Sequence, residues 1–109
     1  VTKDEARRFL SDCAPEQCFW CNNGPVLKNL EELANFLPEM NEDTFRHHVN
    51  NDKNDFSNWV RDIIGDQKLA DNLLSSSTRE SALKKVNFIC RHLNMECPRK
   101  EDFLSDPKG

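Results

Sequence analysis

Apolar residues recur along this chain at helical spacing, with no sustained alternation of the kind strands produce. The clearest case lies in the run Asn41 to Leu74, where Phe56, Trp59, Val60, Ile63 and Ile64 fall at i, i+3, i+4, i+7 and i+8 and share one helix face. Asn54 stands before that face as an N-cap, and Gly65-Asp66 stops one helix and starts the next. A preceding helix carries Phe45, His48 and Val49 on one face, and a following one carries Leu69, Ala70, Leu73 and Leu74. Toward the N-terminus, Thr2-Lys3-Asp4-Glu5 matches a capping box, and Ala6, Phe9, Leu10 and Cys13 follow at helical spacing. That predicts a short helix over 3–12, ended by Pro15. Residues 14–26 hold two prolines and Asn-Asn-Gly, which predicts a turn-rich connection with a short extended piece at Cys18 to Cys21. Leu30, Leu33, Ala34 and Leu37, with Asn29 and Glu32 in cap positions, predict a helix stopped before Pro38. The last helix, about 78–93, is expected to start at a second capping box, Ser77 with Glu80, and to end near Asn94 at C′. Its inward face is Ala82, Val86, Ile89, Cys90 and Leu93.

Six helical segments with short connections predict an all-α fold: a compact single domain of five to six short helices over 1–97, with the Cys-containing loop after the first helix. The polar stretch 98–109, with one Phe103-Leu104 anchor, is expected to be a loosely held tail. No repeat or low-complexity stretch is visible.

Composition narrows the function. At 109 residues the chain suits one domain with a modest core, and 37% hydrophobic against 31% charged residues leaves a highly polar surface. Seven Phe and two Trp, with no Tyr, give that core bulky anchors. A net charge of −4 with scattered basic residues argues against nucleic acid and against an anionic membrane surface. No apolar run approaches the roughly 20 residues that span a bilayer. No signal peptide is legible, so a cytoplasmic location is expected, for a whole protein or for a domain of a larger one.

From Phe19 to about Leu74 the chain resembles a family of small uncharacterised helical domains of archaea and bacteria, a domain of unknown function sometimes found beside glycosyltransferases. The shared features are Phe19-Trp20 with Asn23-Gly24, the Asn29-Leu30-x-x-Leu33 helix, and Phe45 followed by histidines. Asp55-Phe56-x-x-Trp59 and Gly65-Asp66-x-x-Leu69-Ala70 complete them. The resemblance covers about half the chain and implies a fold; it implies no activity. The cysteines are not part of it.

Five cysteines, Cys13, Cys18, Cys21, Cys90 and Cys97, are many for this length, and an odd number cannot all pair within one chain. Cys18-x2-Cys21 has the spacing at which two thiolates reach one tetrahedral Zn2+, with Cys13 as third ligand. A fourth would come from His47, His48, His92, Cys90 or Cys97, with His48 the expected one. No second C-x2-C or H-x3-H half-site exists. The same residues could instead form a redox dithiol or a disulfide, Cys13 with Cys18 or Cys21, or Cys90 with Cys97; otherwise they are simply reduced. His47 and His48 point about 100° apart on a helix, so they do not serve one site; His48 is expected at the core edge, bonded to a backbone or Asp group, and His47 in solvent.

The acidic residues Asp52, Asp55, Asp62 and Asp66 lack calcium-loop spacing, and most of them fall where helix caps belong. Neither a Gly-rich phosphate loop nor a Ser/His/Asp set is present. The leading expectation is a non-enzymatic helical protein-interaction or accessory domain with an unidentified protein partner and no required cofactor. Phe19 and Trp20 either plug the edge of the core or form the contact surface of that domain. The alternative is a zinc-binding or thiol-redox-responsive domain built on Cys13, Cys18 and Cys21.

Overall fold

In the computed structural model, which describes residues 2–96, local capping signals set most element boundaries. Helix α1 spans Lys3–Leu10 and opens with the expected capping box: Glu5 N–H donates to Thr2 Oγ1, and Thr2 N–H donates to Glu5 Oε1, each at 3.1 Å. It ends two residues earlier than its apolar spacing suggests. Ser11 adopts extended backbone and donates its hydroxyl to Arg7 O at 2.7 Å, competing with a further turn. A 3-10 turn, Pro15–Gln17, leads into strand β1, Phe19–Trp20, which pairs antiparallel with β2, Val26–Leu27. The fold is therefore mostly helical rather than all-α, since this two-stranded ribbon stands where a turn-rich connection was expected.

Helix α2, Leu30–Phe36, starts at Asn29, whose side chain accepts from Glu32 N–H, and runs on into a 3-10 turn, Leu37–Glu39, through Pro38. Helix α3 is Glu42–His48, capped by Asn41. Helix α4, Asp55–Trp59, is capped by Asn54 and continues as a π-helical turn, Val60–Ile64. Helix α5 is Gln67–Leu74, capped by Asp66, and α6 is Arg79–Glu96. Thr78 takes the capping role expected of Ser77: its hydroxyl accepts from Ser81 N–H at 3.1 Å. Asn94 lies inside α6, where its side chain bonds Cys90 O, one turn back. Cys97 and the expected tail over 98–109 lie outside the described residues.

Helix α6 packs against α1, α2 and α5, while α4 and its π turn pack on α5. Its buried stripe is Ala82, Val86, Cys90 and Leu93, with Ile89 partly covered. Phe45, Phe56, Leu30, Leu33, Leu37, Met40, Leu69 and Leu73 fill the centre. Leu74, expected on the inner face of α5, is exposed. Inter-element polar groups are satisfied by short reaches: the fully buried Ser57 donates to Ala70 O at 2.7 Å, and Asn54 Nδ2 to Leu73 O at 2.9 Å. These two bonds lock α4 to α5 at the point where burial makes an unpaired group costly. Among the described residues no helix is long and apolar enough to cross a membrane.

The α4–α5 corner depends on Gly65, whose φ of +94° lies in the left-handed region. A Cβ there would meet nothing closer than Phe9 Cε1 at 3.7 Å, so crowding adds little and backbone strain sets the cost. Gly65→Ala should lower stability by about 1 kcal/mol, and Gly65→Asn by less, in urea unfolding. Equal stabilities for all three proteins would contradict this reading of the corner.

Candidate functional site

The ribbon is short, but its pairing assigns each of its four side chains a side. Phe19 stands opposite Leu27 and Trp20 opposite Val26. Successive strand residues point to opposite faces, so the first pair faces the core and the second faces out. Phe19 is 7% exposed and Leu27 2%, against 71% for Trp20 and 41% for Val26. The connecting turn is held by Gly24 N–H donating to Cys21 O at 3.2 Å and by Asn23 in the left-handed region, φ 57°. Asn tolerates that conformation better than most residues. A Cβ on Gly24 would come within 2.9 Å of Phe36 Cζ, so the turn also needs a small residue to lie against α2. The expected Phe19-Trp20 surface is thus split: Phe19 belongs to the core, and the outward partner of Trp20 is Val26. Sequence reading passed over Val26 because a two-residue strand is too short to show alternation.

Beneath the ribbon lies an aromatic cluster. The Phe19 ring stacks on Phe56 at 4.9 Å and meets His48 and Trp59 edge-on at 4.9 and 5.7 Å. Trp59 Nε1 donates to Gln17 O at 2.9 Å, fastening the 3-10 turn before the ribbon. His48 is bonded at both ring nitrogens, its Nε2 accepting from Asn22 N–H at 3.0 Å and its Nδ1 lying 2.9 Å from Asp55 Oδ2. With Nε2 accepting, the network assigns the proton to Nδ1, which donates to Asp55. His48 therefore joins the ribbon turn to the start of α4. It is the core-edge histidine the helix pattern predicts, with an Asp partner, and His47 is exposed.

The candidate metal ligands are not gathered. Among the described residues no group of three or more His, Cys, Asp or Glu side chains could hold a metal ion. Both nitrogens of His48 are engaged elsewhere, and Cys21 is buried beside the ribbon. The C-x2-C pair gives way to a different one: Cys13 Sγ lies 3.7 Å from Cys18 Sγ, both half-buried. Cys13 is fastened to the chain just after the ribbon, its N–H and Sγ both reaching Lys28 O, at 2.8 and 3.2 Å. Burial, reinforced by the neighbouring Cys18, pushes the Cys13 thiol up to about 11; burial alone does the same for Cys21 and Cys90. These three are poor thiolates near neutrality, the opposite of an activated nucleophile.

Compared with known protein families, curated proteins and solved structures, the chain matches none. Phe19, Leu30, Leu33, Phe45, Phe56, Trp59, Leu69 and Ala70 are core; Asn29 and Asp66 are caps; Asn23, Gly24 and Gly65 make turns. They account for a fold and name no chemistry.

Burial by itself would raise the Asp55 carboxyl, but hydrogen bonds from His48 and Lys53 outweigh it and hold it below the ordinary 3.8. A carboxyl depressed in the folded state stabilises above its unfolded pKa, and that contribution disappears as pH falls through the folded one. Asp55→Asn should cost about 1 kcal/mol at pH 7. It should also lose less stability than the parent between about pH 5 and about pH 2, as read by urea unfolding across that range. Parallel pH profiles would remove Asp55 as an acid-sensitive contact.

Proposed function

We propose that this protein is a non-enzymatic protein-interaction domain whose contact surface is the outer face of the ribbon, centred on Trp20 and Val26. The observation that carries the reading is the exposure of Trp20, 71%, on a backbone pinned from below by the Phe19 cluster. Leaving a Trp in water forfeits on the order of 2–3 kcal/mol of burial, and contact surfaces use such residues as anchors because their rings bury large area with little entropy to lose. The ribbon holds Trp20 without needing it for the core, so the position is free to serve a partner.

A photo-crosslinking amino acid at position 26, beside an intact Trp20, tests this in extracts of the source cells, with the same probe at exposed Lys3 as control. A defined adduct is expected from position 26, competed away by excess unmodified protein and not by the Trp20→Ala protein. Identical adducts from positions 26 and 3, or equal competition by Trp20→Ala, would overturn it.

One distance favours a second reading, a thiol-redox-responsive loop. Cys13 and Cys18 at 3.7 Å need only close to about 2.05 Å to bond. Oxidised glutathione supplies the balance: one thiolate attacks it, the second thiol displaces the mixed disulfide, and two reduced glutathiones leave as the Cys13–Cys18 bond forms. Treated protein should lose two hydrogens in mass, and alkylation after denaturation should then spare Cys13 and Cys18 while modifying Cys21, Cys90 and Cys97. Alkylation of all five cysteines after treatment would rule out the pair.

A further inference from the structure

A second feature lies between α5 and α6 and shares no residue with the ribbon. Lys68 and Asn72 on α5, with Lys84, Lys85, Phe88, Ile89 and His92 on α6, line a groove of about 410 Å3. Its origin is the width of the apolar stripe on α6. Ala82, Val86, Cys90 and Leu93 satisfy the core, so Phe88 falls outside it and remains 62% exposed, stacked on His92 at 5.2 Å. Lys85 closes the α5 end of the groove, its Nζ donating to Asn72 O at 3.1 Å and to Ser75 Oγ at 3.4 Å. Lys68 and Lys84 form no ion pair among the described residues. The chain carries a net charge of −4, yet no carboxylate lines this groove.

We propose that the α5–α6 groove binds an acidic peptide segment of a partner protein, one that carries an aromatic or aliphatic side chain between carboxylates. The apolar side chain rests against Phe88 and Ile89, and the flanking carboxylates face Lys68, Lys84 and His92. Charge complementarity selects this occupant. A local cationic rim on an anionic protein attracts acidic chains and disfavours basic ones, a second copy brought up by the same basic groove among them. No arginine lines the groove, so the bidentate fork that suits phosphate is missing, and three lysines on two helix faces make a short track for a nucleic-acid backbone. The division of labour follows from magnitudes. Exposed ion pairs are individually weak and are screened by salt, so Phe88 is the anchor and the lysines set selectivity.

The test uses a fluorescein-labelled peptide with a Phe-Leu pair between two acidic triplets, titrated with the full chain and read by anisotropy. A Lys-substituted version of the peptide and a short single-stranded RNA serve as the other probes. The acidic peptide should bind, and the lysine version should not. Phe88→Ala and the double reversal K68E/K84E should each weaken binding about tenfold or more, because a central anchor or a reversed rim removes at least that much. Raising NaCl from about 50 mM to about 500 mM should also weaken it severalfold as screening shortens the reach of the lysines. Phe88 is exposed, so an unchanged circular dichroism melt is expected for Phe88→Ala and separates lost contact from lost fold. Trp20→Ala should leave the peptide affinity unchanged, which keeps this result independent of the ribbon surface. No binding of the acidic peptide, affinity indifferent to Phe88 and to the lysines, or preference for the RNA would each overturn the proposal.

Discussion

The packing of Phe19 onto Phe56, His48 and Trp59 is the constraint on which the rest of this architecture turns. A two-stranded ribbon is marginal in water unless something covers one face. Here three rings do so, and hydrogen bonds around them add to the hold: Asn22 N–H donates to His48, Trp59 to Gln17 O, and the far ring nitrogen of His48 to Asp55. Together they fix the ribbon on the α3–α4 corner. Because strand side chains alternate, fixing Phe19 inward forces Trp20 outward. The exposed tryptophan is thus a consequence of a buried phenylalanine, and in this register the two cannot exchange sides unless the whole ribbon turns over, which would bring Val26 inward and Leu27 outward.

The helices were legible because helical periodicity and capping are local properties. Asn29, Asn41, Asn54 and Asp66 each cap a residue three positions on, so their partners stand in the same short string. Errors arose where two adjacent hydroxyls compete, as Ser77 and Thr78 do, or where a side chain closes a helix early, as Ser11 does. Leu74 has the right spacing for the core but sits at the edge of its stripe, and spacing does not report the width of the opposing surface. The ribbon was legible only as a turn-rich connection with a short extended piece at Cys18 to Cys21, since pairing between 19–20 and 26–27 is a tertiary fact.

The cysteines show the same limit more sharply. Cys18-x2-Cys21 is the conspicuous spacing, yet Cys21 follows the strand into the core while Cys18 remains before it, beside Cys13. The approach of Cys13 depends on its bonds to Lys28, fifteen residues away, which no local motif records. Residues that the fold requires and residues left over for binding are therefore largely distinct here. Among the described residues Trp20, Val26, Leu74, Phe88 and Met95 are the large apolar side chains left exposed, and functional reading starts from Trp20, Val26 and Phe88.

The most direct measurement is equilibrium urea unfolding of Phe19→Ala and Trp20→Ala side by side. Removing Phe19 from the buried cluster should cost about 3–5 kcal/mol, whereas removing the exposed neighbouring ring should change stability by no more than about 0.5 kcal/mol. Comparable losses for the two variants would contradict the account, because Trp20 would then be part of what holds the ribbon down.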